Sequence, residues 1–144
     1  MSDGLDNLIR QHRTGEASLA LVELHLREGD WTAADLVLDD AGRLLHDNLR
    51  TEEERLFPAL AEAGRTAGGI IALMRHDHGR VRTLLAAVRE WMALRDANAA
   101  AAELHSLCLL FQEHNAREEF VLYPLCRTRV PNLNTILAVP AYDA

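Results

Sequence analysis

Two nine-residue segments of this chain, EEERLFPAL at residues 52–60 and EEFVLYPLC at residues 118–126, are versions of one another. Superposing Pro58 on Pro124 sets a shift of 66 residues, which also carries Glu52 onto Glu118, Leu56 onto Leu122, Phe57 onto Tyr123 and, well outside both segments, His12 onto His78. A register of that span means that one supersecondary unit is used twice, each copy needing the other to bury its apolar face.

The apolar spacing obeys the same shift. Leu5, Leu8, His12, Gly15, Leu19, Val22 and Leu26 follow alternating steps of three and four, the seam of a helix that faces a bundle core. Shifted, they become Ile71, Met74, His78, Val81, Leu85, Val88 and Met92. A second seam, Ala34, Leu38, Ala41, Leu45, Asn48, Glu52, Arg55 and Ala59, becomes Ala100, Leu104, Leu107, Phe111, His114, Glu118, Val121 and Leu125. This pattern predicts four amphipathic helices in two hairpins.

Boundary residues agree. Gly29 and Asp30 break the first helix, Thr32 with Asp35 reads as a capping box for the second, Gly64, Gly68 and Gly69 surround the middle connection, and Asp96 or Asn98 can cap the fourth. The prolines of LFPAL and LYPLC sit late in their helices and should kink or end them. The expected fold is all-α, an antiparallel up-down-up-down four-helix bundle, because short links make long helices antiparallel neighbours. We read residues 1–144 as a single domain with helices over about 5–28, 32–62, 67–95 and 97–128 and a tail over 130–144 that carries Pro131 and Pro140.

Composition narrows the function. With 15 Lys and Arg against 22 Asp and Glu the net charge is −7, and no basic stripe could neutralise a run of phosphates, so no nucleic-acid partner is expected. No stretch approaches the apolar length of a membrane span, and MSDGLDNLIRQHR lacks a basic segment followed by an apolar run, so a soluble, unexported, cytoplasmic protein without a membrane partner is expected. Cys108 and Cys126 are too few and too far apart for a disulfide framework or a thiolate knuckle and read as small buried hydrophobes. No Ser or Cys stands in a pattern with a His base, and no Gly-rich phosphate loop is present, which leaves hydrolytic and nucleotide-dependent chemistry unsupported.

The seams are polar where a core should be apolar. His12, Asn48, Glu52, His78, His114 and Glu118 all occupy inward positions, and a buried carboxylate without a partner costs several kcal/mol. Their heights coincide: His12 lies 17 residues before Gly29, while Asn48 and Glu52 lie 16 and 20 residues after Thr32. At about 1.5 Å per residue an antiparallel hairpin brings these to one level within about a turn. Three imidazoles and two carboxylates at one level form a nitrogen and oxygen donor set for iron, manganese or zinc. Two opposed Glu residues that each bridge two cations would cancel their own repulsion, so a dinuclear centre is the simplest solution. The competing reading is a metal-free four-helix interaction module whose polar layer is hydrogen-bonded internally.

The order His, His-x-x-x-Glu, His, His-x-x-x-Glu, met here except at Asn48 and with LFP or LYP after each Glu, resembles the hemerythrin-like, or HHE cation-binding, family over roughly residues 5–126. The resemblance implies a four-helix bundle around a non-haem di-iron centre, oxo- or hydroxo-bridged when oxidised, with bridging carboxylates and terminal His. It implies His12, Glu52, His78, His114 and Glu118 as ligands, and a small diatomic partner, dioxygen or nitric oxide, which the protein would bind or sense rather than turn over, or else a role in maintaining other iron centres. One departure matters. The family has His where this chain has Asn48. His46 lies about 200° around the helix from that position and should point away. Asn48 could ligate weakly through its carbonyl oxygen, hold a water, or mark a decayed site, and Glu16, one turn after His12, is the nearest spare carboxylate. Of the neighbouring acids, Glu53 is expected at most to accept from a ligand.

Overall fold

The computed structural model describes residues 3–138, and every regular element among them is helical. The first hairpin pairs α1 (Gly4–Glu28) with α2 (Trp31–Thr51), and α2 runs through a π turn at Glu52–Leu56 into α3 (Phe57–Ala63). After a 3-10 turn at Arg65–Ala67, the second hairpin pairs α4 (Gly68–Ala93) with α5 (Ala97–Arg117), which runs through its own π turn at Glu118–Leu122 into α6 (Tyr123–Arg129). A last helix, α7 (Leu133–Ala138), packs against α1 and the first π turn. Thus the first part of the expected tail is a docked helix; Pro140, with residues 139–144, lies outside the described residues.

Packing direction follows from the core. Leu19, Val22 and Leu26 late in α1 share an apolar cluster with Ala34, Leu38 and Ala41 early in α2, whereas Leu5 and Leu8 cluster with Leu56, Phe57 and Leu60. The second hairpin divides in the same way, with Val88 and Met92 beside Ala100 and Leu104, and Met74 beside Leu122, Tyr123 and Cys126. Each hairpin is antiparallel, and α1 packs on α5 while α2 packs on α4. Along every long helix the polar layer falls between the two apolar clusters.

Both hairpin turns use one device. Gly29 is left-handed at φ 72°, and the Asp30 N–H bonds back to the His25 carbonyl at 3.0 Å, a Schellman ending. At the repeat position Arg95 adopts φ 57°, and the Asp96 N–H reaches the Trp91 carbonyl at 3.0 Å. Asp30 and Asp96 then cap the next helices through the Ala33 and Ala99 N–H groups, each at 3.1 Å. This corrects the expected Thr32–Asp35 box: a cap at Asp30 puts Thr32 inside the first turn, and Asp35 instead binds Arg95 at 2.9 Å.

The π turns correct the second seam. The Phe57 and Tyr123 N–H groups bond to the carbonyls of Glu52 and Glu118, five residues back, so each turn holds one extra residue. A proline crowds the carbonyl four residues before it, and Pro58 and Pro124 lie just past these turns; widening the helix there accommodates them without a break. The inward face consequently passes through Leu56 and Leu122, both 0% exposed, and not through Arg55, which is half-buried, or Val121, which is 52% exposed.

The two copies differ where α1 meets α5. A Cβ on Gly15 would lie 3.0 Å from both Leu45 Cδ1 and Phe111 Cε2, whereas the repeat position holds Val81. Making the halves alike with Gly15→Val is expected to destabilise the fold by about 1–3 kcal/mol through overpacking, outweighing the gain of about 0.5 kcal/mol in helix propensity. A denaturant melt checks this, and an unshifted midpoint would contradict the tight approach.

Candidate metal centre

Side chains from four elements meet in the polar layer. Glu52 and Glu118 open the two π turns, His78 comes from the middle of α4, and His114 from one helical turn before Glu118. One ligand atom from each of these four lies within 4.8 Å of the others, and all four residues are buried. The structure brings His12 to the same layer from α1, with its Nε2 3.1 Å from Glu118 Oε1. Each carboxylate faces two ways. Glu118 Oε2 is 3.2 Å from His114 Nε2 while its Oε1 faces His12; Glu52 Oε1 is 3.1 Å from His78 Nε2 while its Oε2 accepts from the Tyr123 hydroxyl at 2.6 Å. The layer thus has a His78–His114 side and a His12 side, with both carboxylates between them.

A chain of acceptor and cation sets each imidazole. His12 Nδ1 meets Glu119 Oε2 at 2.8 Å, and Glu119 binds Arg13. His78 Nδ1 meets Glu53 Oε2 at 2.6 Å, and that carboxylate is held by Arg82 at 2.7 Å. His114 Nδ1 meets Asp77 Oδ2 at 3.1 Å, which Arg117 holds at 3.1 Å. A carboxylate on Nδ1 favours the tautomer that leaves the Nε2 lone pair free, as a metal-binding imidazole requires. Rings wall the layer: His12 stacks on Tyr123 at 5.8 Å between centroids, Phe111 meets His12 edge-on at 6.1 Å, and Phe57 lies 5.4 Å from His78.

Several of these groups escape a reading of the sequence. Glu119, Asp77 and Arg117 lie off the apolar seams, where a charged residue normally means a solvated face. The repeat held one usable signal, since Glu53 and Glu119 occupy equivalent places and do the same work. Tyr123 pairs in the repeat with the apolar Phe57, which conceals its polar part; its hydroxyl is 3.3 Å from both His12 Nε2 and Glu118 Oε1. Asn48 is 1% exposed and faces inward as the register requires. Its Nδ2 donates to Gln11 Oε1 at 2.9 Å and to the Leu8 carbonyl at 3.4 Å. Glu16 does not join the layer: its oxygens bind Arg13 at 3.0 Å, and one accepts from Asn115 at 2.9 Å. The pull of an adjacent cation and a location toward the α1–α5 surface explain this. His46 is exposed, as its helical angle predicts.

Charge in the layer is unbalanced without a cation. Burial and the neighbouring Glu118 carboxylate push Glu52 up to about 7. Burial opposes protonation of His78, but the facing Glu118 and Glu52 carboxylates prevail and raise it to about 10. His12 and His114 move up for the same reasons, whereas the imidazoles around Glu118 overcome its burial and hold it well below the usual carboxylate range. Burial drives the thiols of Cys108 to about 11 and Cys126 to about 12, so both stay protonated at neutral pH in the metal-free chain.

The donor set fits a metal. Asn48 Oδ1, Glu52 Oε1, His78 Nε2, His114 Nε2 and Glu118 Oε2 are all buried without a hydrogen-bond partner. His78 Nε2 and Glu52 Oε1 are only 3.1 Å apart, yet they converge on shared space and are not aligned on each other. Orphaned polar atoms are costly in a core, and those of Glu52, His78, His114 and Glu118, which each bring a ligand atom within 4.8 Å of the others, are explained together by a cation that accepts their lone pairs.

Comparison with curated proteins and with solved structures yields no significant match. The profile of the hemerythrin HHE cation binding domain matches residues 3–126, which span both hairpins and every residue of the buried layer. The chain therefore belongs to the hemerythrin HHE cation-binding family.

Proposed function

We propose that this metal-binding protein holds two iron ions in the layer between its apolar clusters and binds or senses dioxygen or nitric oxide there, in the cytoplasm. The observation that carries this reading is the set of unpartnered donors beside two buried carboxylates, of which Glu118 reaches both His12 and His114 while Glu52 reaches His78 and the Tyr123 hydroxyl. His78 and His114 would serve one iron, His12 and Asn48 the other, and Glu52 and Glu118 both. Iron held in this way supplies an open coordination position for a diatomic ligand. The protein's part is to fix the imidazoles through Glu119, Glu53 and Asp77, and to exclude water with Phe57, Phe111 and Tyr123. A cleft of about 180 Å³ opens between α2 and α4, with Leu45, Leu49, Val81 and Leu85 as its apolar lining and His46, Arg82 and Arg89 beside them, and offers a neutral diatomic an approach toward the layer. Among the described residues no helix is long and apolar enough to cross a membrane.

Metal analysis tests the reading. Protein purified without chelator should carry about two irons per chain. No iron, even after anaerobic addition of ferrous ion, would reject it in favour of a metal-free interaction module.

The proton balance gives a second test on the metal-free chain. His78 is raised from 6.5 to about 10, so its contribution to stability is complete below pH 6.5 and is lost as the pH climbs through 10. Glu52, raised from 4.5 to about 7, acts in the same direction over its own lower window. Thermal melts in chelator should show a midpoint that falls between pH 6.5 and 10, and metal, which replaces the protons, should flatten that fall. A chelated protein whose midpoint rises over this range would contradict the charge assignment.

A further inference from the structure

The repeat pairs Asn48 with His114, and it also pairs Gln11 with Asp77. In the second hairpin Asp77 Oδ2 sits 3.1 Å from His114 Nδ1; in the first, Gln11 Oε1 accepts from Asn48 Nδ2 at 2.9 Å. The same contact between the same two positions is therefore kept, with a charged acceptor and imidazole on one side and a neutral amide pair on the other. The two halves differ at both partners together, and Asn48 sits at 1% exposure with one end of its amide satisfied and the other bare.

An amide can present either its oxygen or its NH2 group, and the two ends differ in kind: the oxygen can donate a lone pair to a cation, while the NH2 group cannot. Here the Nδ2 end is occupied twice on the α1 side, by Gln11 Oε1 and by the Leu8 carbonyl, leaving Oδ1 buried without a hydrogen-bond partner. The Leu8 contact at 3.4 Å is the weaker, so Gln11 is the group that decides the orientation. We infer that Gln11 is a positioning residue that turns Asn48 so that its oxygen faces the buried layer, making the His12 side a built oxygen-donor position for a cation. The inference rests on the proposed two-metal reading and adds to it a cause for unequal sites: one side offers two imidazoles, the other a single imidazole and an amide oxygen.

Three half-buried side chains at position 11 separate this role from packing. Protein loaded anaerobically with ferrous iron is mixed with a chelator, and metal release is followed in wild type, Gln11→Leu and Gln11→Glu, with melts of the metal-free forms alongside. Wild type should release its metal in two phases. Gln11→Leu removes the acceptor and should speed the faster phase by about 10–100-fold, the range for loss of a residue that orients a ligand, leaving the slower phase unchanged. Gln11→Glu keeps an acceptor and should release metal as wild type does. Unchanged release from Gln11→Leu would overturn the inference while leaving the metal centre intact. Equal damage by Leu and Glu would also overturn it, because only a packing role treats them alike. A wild-type chain that takes up no iron would reject the two-metal reading itself, and the inference with it.

Discussion

Glu118→Ala is expected to empty the centre, taking iron content from about two per chain to nearly none, whereas His12→Ala should retain about one. The difference follows from what each side chain touches. Glu118 presents Oε1 to His12 at 3.1 Å and Oε2 to His114 at 3.2 Å and His78 at 3.9 Å, so its carboxylate faces every imidazole in the layer. His12 faces Glu118 from one side and lies outside the tight group formed by Glu52, His78, His114 and Glu118. On the two-metal reading, losing His12 would weaken one position, whereas losing Glu118 would remove a donor from both and leave Glu52 alone to offset the charge of two cations. Truncating a buried ionic partner also costs about 3–5 kcal/mol in the metal-free fold. Glu118→Gln, which keeps the shape and one oxygen, separates lost metal from lost packing: it opens no cavity, so its metal-free fold should melt above that of Glu118→Ala, yet it should hold metal as poorly. Equal iron in the Ala variants at 12 and 118 would contradict a bridging role for Glu118.

The layer was legible in the sequence because burial on a helix is periodic. His12, Asn48, Glu52, His78, His114 and Glu118 occupy seam positions, and all six are buried at 1% exposure or less. Beyond Glu52 and Glu118 the same reasoning fails, because a π turn inserts a residue into the count and hands the inward face from Arg55 and Val121 to Leu56 and Leu122. A constant period cannot anticipate that change; only the prolines that follow hint at it. The groups that orient the imidazoles were hidden for a different reason. Asp77 and Gln11 directly precede seam histidines and so lie about 100° away on the helix, where polarity ordinarily means solvent. Asp77 is nevertheless 1% exposed, because Arg117 from α5 closes over it. Such contacts join helices, and no single helix records them. Comparing the repeat halves exposes one of them, since positions 11 and 48 change together relative to 77 and 114.

That paired change governs what restoring the histidine should do. Asn48→His places an imidazole where the first hairpin offers Gln11 as its Nδ1 partner, and Gln11 Oε1, now 2.9 Å from Asn48 Nδ2, can accept from the ring. The imidazole is a better donor to iron than an amide oxygen, so the single variant should slow release of the more labile iron to a chelator and shift the visible absorption of the oxidised protein. A neutral acceptor, however, raises the basicity of the ring less than a carboxylate does. Asn48→His with Gln11→Asp copies the arrangement of His114 on Asp77 and should slow release further, by about 10-fold over the single variant. The copy is incomplete in one respect: Arg117, which holds Asp77 at 3.1 Å, corresponds to Thr51, so the new Asp would lack its cation. Part of the added carboxylate's effect should therefore appear as higher basicity at the ring, and the two release phases should converge toward a single rate. Unchanged release and an unchanged spectrum in both variants would mean that position 48 does not face the metals, and would leave the buried, unpartnered Asn48 oxygen without the cation proposed for it.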